Sequence, residues 1–277
     1  MSACHLSRSI IPTLFLLLLC TTAPASAAET IRLNGTGCGV ALMKPLIAAF
    51  QKKHKDVTFE VQKSLGSAAA LKAIAKGALD IAVPGRPLKP HEAIPDLTWF
   101  EYGRTPYAVV THPGRKLDDI TTEQLAAIYV GTRAKWPNGD FIRVVLRPQD
   151  DIDTAMLRSL SPEMDRAVTA AHARPDMLMG VTDQETFDHL KKTDGTISFA
   201  PLSMALSEPG AVNVARLNGV APTLANVASG KYPYTKKILV VTRKEPSPGV
   251  KAFVQFLNSK AARAMVTKHG LLLTRGK

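Results

Sequence analysis

The sequence predicts an α/β fold, and three observations predict it. Short runs rich in β-branched residues alternate with apolar stripes at helical spacing. Two of the turns that lead from a strand into a helix are built of glycine, serine and threonine. No internal repeat and no low-complexity tract breaks the alternation. In such folds ligands bind beyond the carboxyl ends of parallel strands.

Residues 1–27 read as an export signal. Arg8 supplies positive charge, Ile10 to Leu19 is an apolar core too short to span a bilayer, and Ala25-Ser26-Ala27 offers small residues for cleavage near Ala27/Ala28. Lipidation at Cys20 is the alternative, disfavoured by Leu19 before it. No later segment is apolar over a membrane-spanning length. The expectation is an exported, periplasmic protein.

Removing the signal leaves about 250 residues, room for one large domain or two lobes with separate cores. Of 35 basic and 23 acidic residues only Arg8 leaves, so the mature net charge is +11. The Lys and Arg are dispersed and aromatics make up 6% of the chain, which argues against a nucleic-acid surface. Cys38 is the single cysteine beyond the signal, so intramolecular disulfides and cysteine-based zinc sites are excluded.

Ile31-Arg32-Leu33 reads as the first strand, running into Asn34-Gly35-Thr36-Gly37-Cys38-Gly39. Leu42, Met43, Leu46, Ile47 and Phe50 then form a helical stripe, with Pro45 tolerated if the helix starts close to Leu42. The loop lacks the third glycine of a dinucleotide fingerprint, since Val40 stands there, and the Lys-Ser/Thr pair of a P-loop. A second unit follows. Val57, Phe59 and Val61 alternate as a strand, Ser64-Leu65-Gly66-Ser67 turns, Leu71, Ile74 and Ala75 mark a helix ending at Gly77, and Ile81-Ala82-Val83 is the next strand. Both loops open onto helix N-termini, whose first amides have no partner within the helix and suit an anion. The competing reading is that Ser64 or Ser67 caps its own helix. Two such turns from neighbouring strands converge, which favours the ligand reading, with Arg86 close by.

Phe100 to His112 is a long strand that stops at Pro113-Gly114. Thr121 and Gln124 form a capping box ahead of Leu125, Ile128 and Tyr129, where a new lobe begins. Ile142 to Leu146 is a strand that delivers Arg147 to the turn Pro148-Gln149-Asp150-Asp151-Ile152-Asp153-Thr154. Met156 to Ala173 is helical with a break near Pro162, Thr182 and Glu185 form a second capping box, and Thr196 to Ala200 is a strand. Ile238 to Thr242 is another, and helices start at Ser247-Pro248 and at Ser259, the last ending at Gly270.

Enzymatic signatures are missing. There is no Gly-x-Ser-x-Gly elbow and no Ser-x-x-Lys pair, and His91-Glu92 lacks the second histidine of a zinc protease. His112, His172 and His189 lie in separate segments. Cys38, at a helix start, has a favourable place for a lowered thiol pKa, but no histidine is locally positioned to activate it. The expectation is a binding protein that is not an enzyme and holds no cofactor or metal.

In order and spacing, Gly35-Thr36-Gly37, Gly66-Ser67, Asp80-Ile81-Ala82 with Arg86-Pro87-Leu88, Ile128-Tyr129-Val130-Gly131 with Lys135-Trp136, Arg147 and Gly230-Lys231-Tyr232-Pro233 resemble the periplasmic phosphate-binding protein family. Nearly the whole mature chain is covered. The resemblance implies a two-lobed type II periplasmic binding protein, each lobe a mainly parallel sheet flanked by helices. Lobe 1 would comprise 28–111 and 205–277, lobe 2 112–204, with the ligand cleft between. It implies a monomer that captures a phosphate-like oxyanion and passes it to an ABC importer permease. Carried onto this chain, the binding residues are Thr36, Gly37, Cys38, Ser64, Ser67, Arg86, Arg147 and Thr154.

The chain departs from that family at two places. Gly85-Arg86 stands where a carboxylate is usual, and Asp150, Asp151 and Asp153 occupy the third loop, where a Gly-Ser-Gly-Thr-like turn is expected. Two like charges 4 Å apart cost about 4 kcal/mol at an effective dielectric near 20. Either these aspartates line the cleft, favouring an organic or cationic solute, or one of them caps a helix and fills the anion's place. A sensory or surface module reusing the fold is the reading from another class.

Overall fold

The computed structural model describes residues 28–175 and 177–274; the expected export signal and Cys20 lie outside the described residues. Strand β1 (Glu29–Gly35) leads into helix α1 (Gly37–Gln51), β2 (Val57–Glu60) into α2 (Gly66–Ala75), and β3 (Ile81–Val83) through a short 3-10 turn into the long β4 (Leu97–Thr111). There follow β5 (Asp119–Ile120), α3 (Thr122–Val130), β6 (Arg143–Leu146), α4 (Ile152–Arg158), α5 (Pro162–His172), β7 (Leu178–Met179), α6 (Asp183–Lys192) and β8 (Thr196–Pro201). The remainder comprises α7 (Leu202–Ser207), β9 (Asn213–Val214), β10 (Arg216–Leu217), α8 (Leu224–Ala228), β11 (Thr235–Arg243), α9 (Pro248–Leu257), α10 (Lys260–Lys268) and β12 (Leu272–Leu273).

The main sheet runs β2-β1-β3-β11-β4-β8-β6-β7, with β9 and β12 also on β4. Its two outer parts are parallel, β2-β1-β3 at one end and β8-β6-β7 at the other. Between them β11 and β4 run antiparallel to their neighbours. Strand β4 joins the parts because it is long: Leu97 to Pro106 pairs with β11, and Tyr107 to Thr111 pairs with β8.

Each part buries its own core. Ile31, Leu33, Met43, Leu46 and Phe50 gather with Phe253 and Val266 on one face of the first part, and Leu71, Ile74, Leu97 and Val241 pack on the other. The second core holds Val109, Leu125, Tyr129, Trp136, Val144, Met164 and Phe199. Two assignments depend on tertiary packing. Phe187 and Leu190 of α6 join the first core, while Ala215, Leu217 and Tyr232 join the second. Helix α6 is thus pinned against α1.

Helix α1 starts at Gly37, five residues before Leu42, and runs through Pro45. An interior proline removes one helical hydrogen bond and costs about 3 kcal/mol. Leu42, Met43, Leu46, Ile47 and Phe50 are all buried, and each contributes roughly 1.5–3 kcal/mol, so packing wins. Several helix starts follow their caps. Thr121 accepts from Gln124 N with the reciprocal bond in place, and Thr182 accepts from Glu185 N, whose own side chain turns to Val181 N instead. Asp151 caps α4, accepting from Asp153 N at 2.8 Å. Among the described residues no helix is long and apolar enough to cross a membrane.

Candidate functional site

A cavity of about 330 Å³ opens between the two parts, at the carboxyl ends of β1, β2 and β6. On one side stand Thr36, Gly37, the turn from Ser64 to Ala69, Arg86 and Lys89; on the other Arg147, Asp150, Asp151, Val181, Thr182 and Asp183; Lys236 forms part of the lining. The two loops that open onto α1 and α2 therefore converge, because β1 lies between β2 and β3 and all three run parallel. The two helix N-termini are in very different states.

At α1 a protein carboxylate occupies the anion's place. Asp183, the first residue of α6, accepts from Thr36 Oγ1 at 2.7 Å and from Cys38 N at 3.0 Å through one oxygen. Its other oxygen lies 2.6 Å from Lys236 Nζ and 3.9 Å from Arg147. Burial would push its pKa up, but Lys236, Arg147 and the Thr36 hydroxyl outweigh that, and the carboxyl is held far below the usual range. Gly37 is what allows the approach: a Cβ there would fall 2.8 Å from Asp183 Cβ.

Around Asp183 the buried charges form one network. Lys236 Nζ also lies 2.9 Å from Asp153. Gly85 lets the lysine pass, since a Cβ there would meet its Cε at 2.7 Å. Arg147 is 5% exposed; it donates to Gly180 O at 2.9 Å and Asp151 at 2.7 Å, and its Nε sits 3.4 Å from Asp153 with no hydrogen-bond partner. Burial and the neighbouring Asp183 push the Asp153 carboxyl up to about 7 against the pull of Lys236.

At α2 the N-cap residue, Leu65, makes no side-chain cap bond and no acidic residue stands in the first turn. Ser64 Oγ donates to Gly35 O at 2.8 Å and accepts from Gly66 N at 3.2 Å, which braces the loop. Ser67 Oγ accepts from Gly85 N at 2.9 Å. Arg86 is clamped by Glu92 through two bonds of 2.6 and 2.7 Å, and its hydrogen bonds hold the Glu92 carboxyl down at about 2. Leu65 and Val181, from opposite sides, are both exposed at the rim.

Of the residues singled out in the sequence, Thr36, Gly37, Ser64, Ser67, Arg86 and Arg147 line this cavity. Two do not. Thr154 is 2% exposed and turned inward, its hydroxyl spent on Pro148 O at 2.8 Å. Cys38 is fully buried, offers only its amide, and gives that to Asp183. Its thiol pKa is raised by burial and by Asp183, not lowered, because the carboxylate has taken the helix terminus. Asp183 and Lys236 were missed. The capping box at Thr182 marked where α6 starts, but not what it faces. For Lys236 the signal was strand alternation, which turns it inward at 2% exposure while Lys237 points out. Among the described residues no group of three or more His, Cys, Asp or Glu is placed to hold a metal ion.

Comparison with known proteins adds the family. The chain is 22% identical over 255 residues to the phosphate-binding protein PstS of Borreliella burgdorferi, covering 88% of this chain and 90% of that protein. It is 24% identical over 247 residues to PstS of Bacillus subtilis, covering 84% and 78%. The fold superposes with a TM-score of 0.74 and 21% identity on a phosphate-bound protein of Clostridium perfringens, described as a candidate phosphate ABC transporter substrate-binding protein, covering 89% of this chain and all of that one. The family model for the PBP superfamily domain matches residues 21–261, and with that match spanning most of its length this chain belongs to the PBP superfamily.

Proposed function

We propose that this protein is an exported, monomeric solute receptor that holds a small oxyanion in the interlobe cleft and delivers it to an ABC importer. On this reading the lobes are 28–111 with 205–277, and 112–204, with Phe187 and Leu190 of the second reaching into the first core and Ala215, Leu217 and Tyr232 of the first into the second. The observation that carries this reading is the N-terminus of α2, which no carboxylate occupies and which opens to a cavity that also presents Ser64, Ser67, Thr182, Arg86, Lys89 and Arg147. The helix dipole, hydroxyls and cations there favour negative charge, against Asp150 and Asp151 on the opposite wall. The named functions of the relatives, phosphate binding in PstS of two organisms, support it, and the signal read at residues 1–27 supports export. No step of a reaction is proposed, since the relatives are binding proteins and the cavity residues are bound to one another rather than poised on a reacting group.

Titration calorimetry of the mature chain with phosphate, sulfate and a panel of organic acids and phosphate esters tests this. One-to-one binding of an oxyanion is expected, and the absence of both binding heat and a rise in Tm with every anion would overturn the assignment. A second reading has its own support. The cavity lies at the lower bound of small-molecule sites, and Leu65 and Val181 give it apolar lips, so an organic solute bearing one anionic group fits as well as a bare ion.

A further inference from the structure

We propose that Asp183 is a resident surrogate for a ligand's anionic group, which permanently fills the seat at the N-terminus of α1 and makes the receptor select solutes that need only the seat at α2. This rests on the oxyanion-receptor reading and specifies its selectivity. Four observations carry it. The carboxylate takes the contacts an oxyanion would take there: a threonine hydroxyl, a helix N-terminal amide and a lysine, at 2.7, 3.0 and 2.6 Å. Its side chain is 1% exposed although it borders the cavity, so the carboxylate is turned into the seat rather than out to solvent. It is not hung on a loop, because Phe187 and Leu190 of the same helix are fully buried in the first core. Gly37 receives it without a side chain in between.

Charge explains the selectivity. Arg147 and Lys236 face Asp151, Asp153 and Asp183 within one cluster, so both cations already have protein carboxylates as partners. A small dianion entering the α1 seat must expel Asp183 and break its bonds to Thr36, Cys38 and Lys236. At α2 an anion displaces no protein carboxylate. Inorganic phosphate is therefore confined to one helix terminus out of two.

The test has one arm on the native protein and one on variants. In a phosphate titration of the ¹⁵N-labelled chain, the amides of Gly66 to Ala69 are expected to shift and the Cys38 amide to stay. In calorimetry, Asp183→Gly vacates the seat and is expected to bind phosphate and sulfate at least tenfold more tightly than wild type. Asp183→Asn, which keeps the shape and fills the seat, is expected to gain less than Asp183→Gly; far-UV circular dichroism checks that both fold. A Cys38 amide that shifts as far as those of α2, or an Asp183→Gly variant that folds and binds no more tightly, overturns the proposal and leaves the receptor reading intact. A wild type and a folded variant that both ignore every oxyanion overturn the two together.

Discussion

The N-termini of α1 and α2 stand side by side at the ends of adjoining parallel strands, and both start with glycine next to a small polar residue. Each has the dipole and the amides to hold an anion. What separates them lies across the cleft. Opposite α1 stands the start of α6, which brings Asp183 into hydrogen-bond contact; opposite α2 stand Val181, Thr182 and the turn of Asp150 and Asp151, which leave open space. A helix terminus is an anion site only when no protein carboxylate reaches it first. On the proposal made above, the α1 side is structural and the α2 side is left for the ligand.

That contrast can be broken at the α1 side first. Arg147 lies within ion-pair distance of three aspartates in a nearly dry setting, and removing one partner of such a network leaves buried charge without compensation. Arg147→Ala is expected to lose about 3–5 kcal/mol in urea unfolding. A loss under about 1 kcal/mol would show that the cluster is not the support described here, and would return Arg147 to the role of a ligand contact.

The next effect is one of pH. An unfolded aspartate titrates near 3.9, whereas burial holds Asp153 at about 7 in the folded chain. Between those values the folded state keeps a proton that the unfolded state has lost, so stability falls as pH rises from about 4 through 7. Asp183 works in the opposite sense. Its pKa is lowered on folding, so its contribution is complete above its unfolded value and is lost in stronger acid. Tm measured from pH 5 to 8 is expected to fall for wild type and to be flatter for Asp153→Asn. Parallel curves for the two proteins would remove Asp153 as the cause.

The smallest effect belongs to the α2 side. Lys89 is exposed and lines the cavity, so Lys89→Ala should leave stability within about 0.5 kcal/mol. It should slow association of an oxyanion a few-fold at low salt, with less difference at high salt. Stopped-flow binding at two ionic strengths reads this. An identical rate in both proteins would place the anion away from α2 and blunt the contrast between the helices.

Much of the scaffold was legible because its signals are local. The caps at Thr121, Thr182 and Ser259, the strand alternation through Val57 to Val61 and the glycines that close helices each act within about four residues of chain. The convergence of the loops at Thr36 and Ser64 to Ser67 also followed, since parallel neighbours must present their ends together. Reading Asp150 to Asp153 as a caution was sound in kind: Asp151 caps α4 and clasps Arg147. The carboxylate that fills the anion's place is a different one. Thr154 and the thiol of Cys38 look like ligand groups in the sequence and are turned inward by the fold.

By itself the sequence determined an alternating α/β chain with two anion-ready helix starts. Only the tertiary structure decided which of them is available. The contacts that decide it join Asp183 to Thr36 across 147 positions, Lys236 to Asp153 across 83 and Lys236 to Asp183 across 53. No local propensity encodes such pairings. They arise because burial of Phe187 and Leu190 fixes α6 against α1, and a carboxylate carried there must find cations or remain unburied.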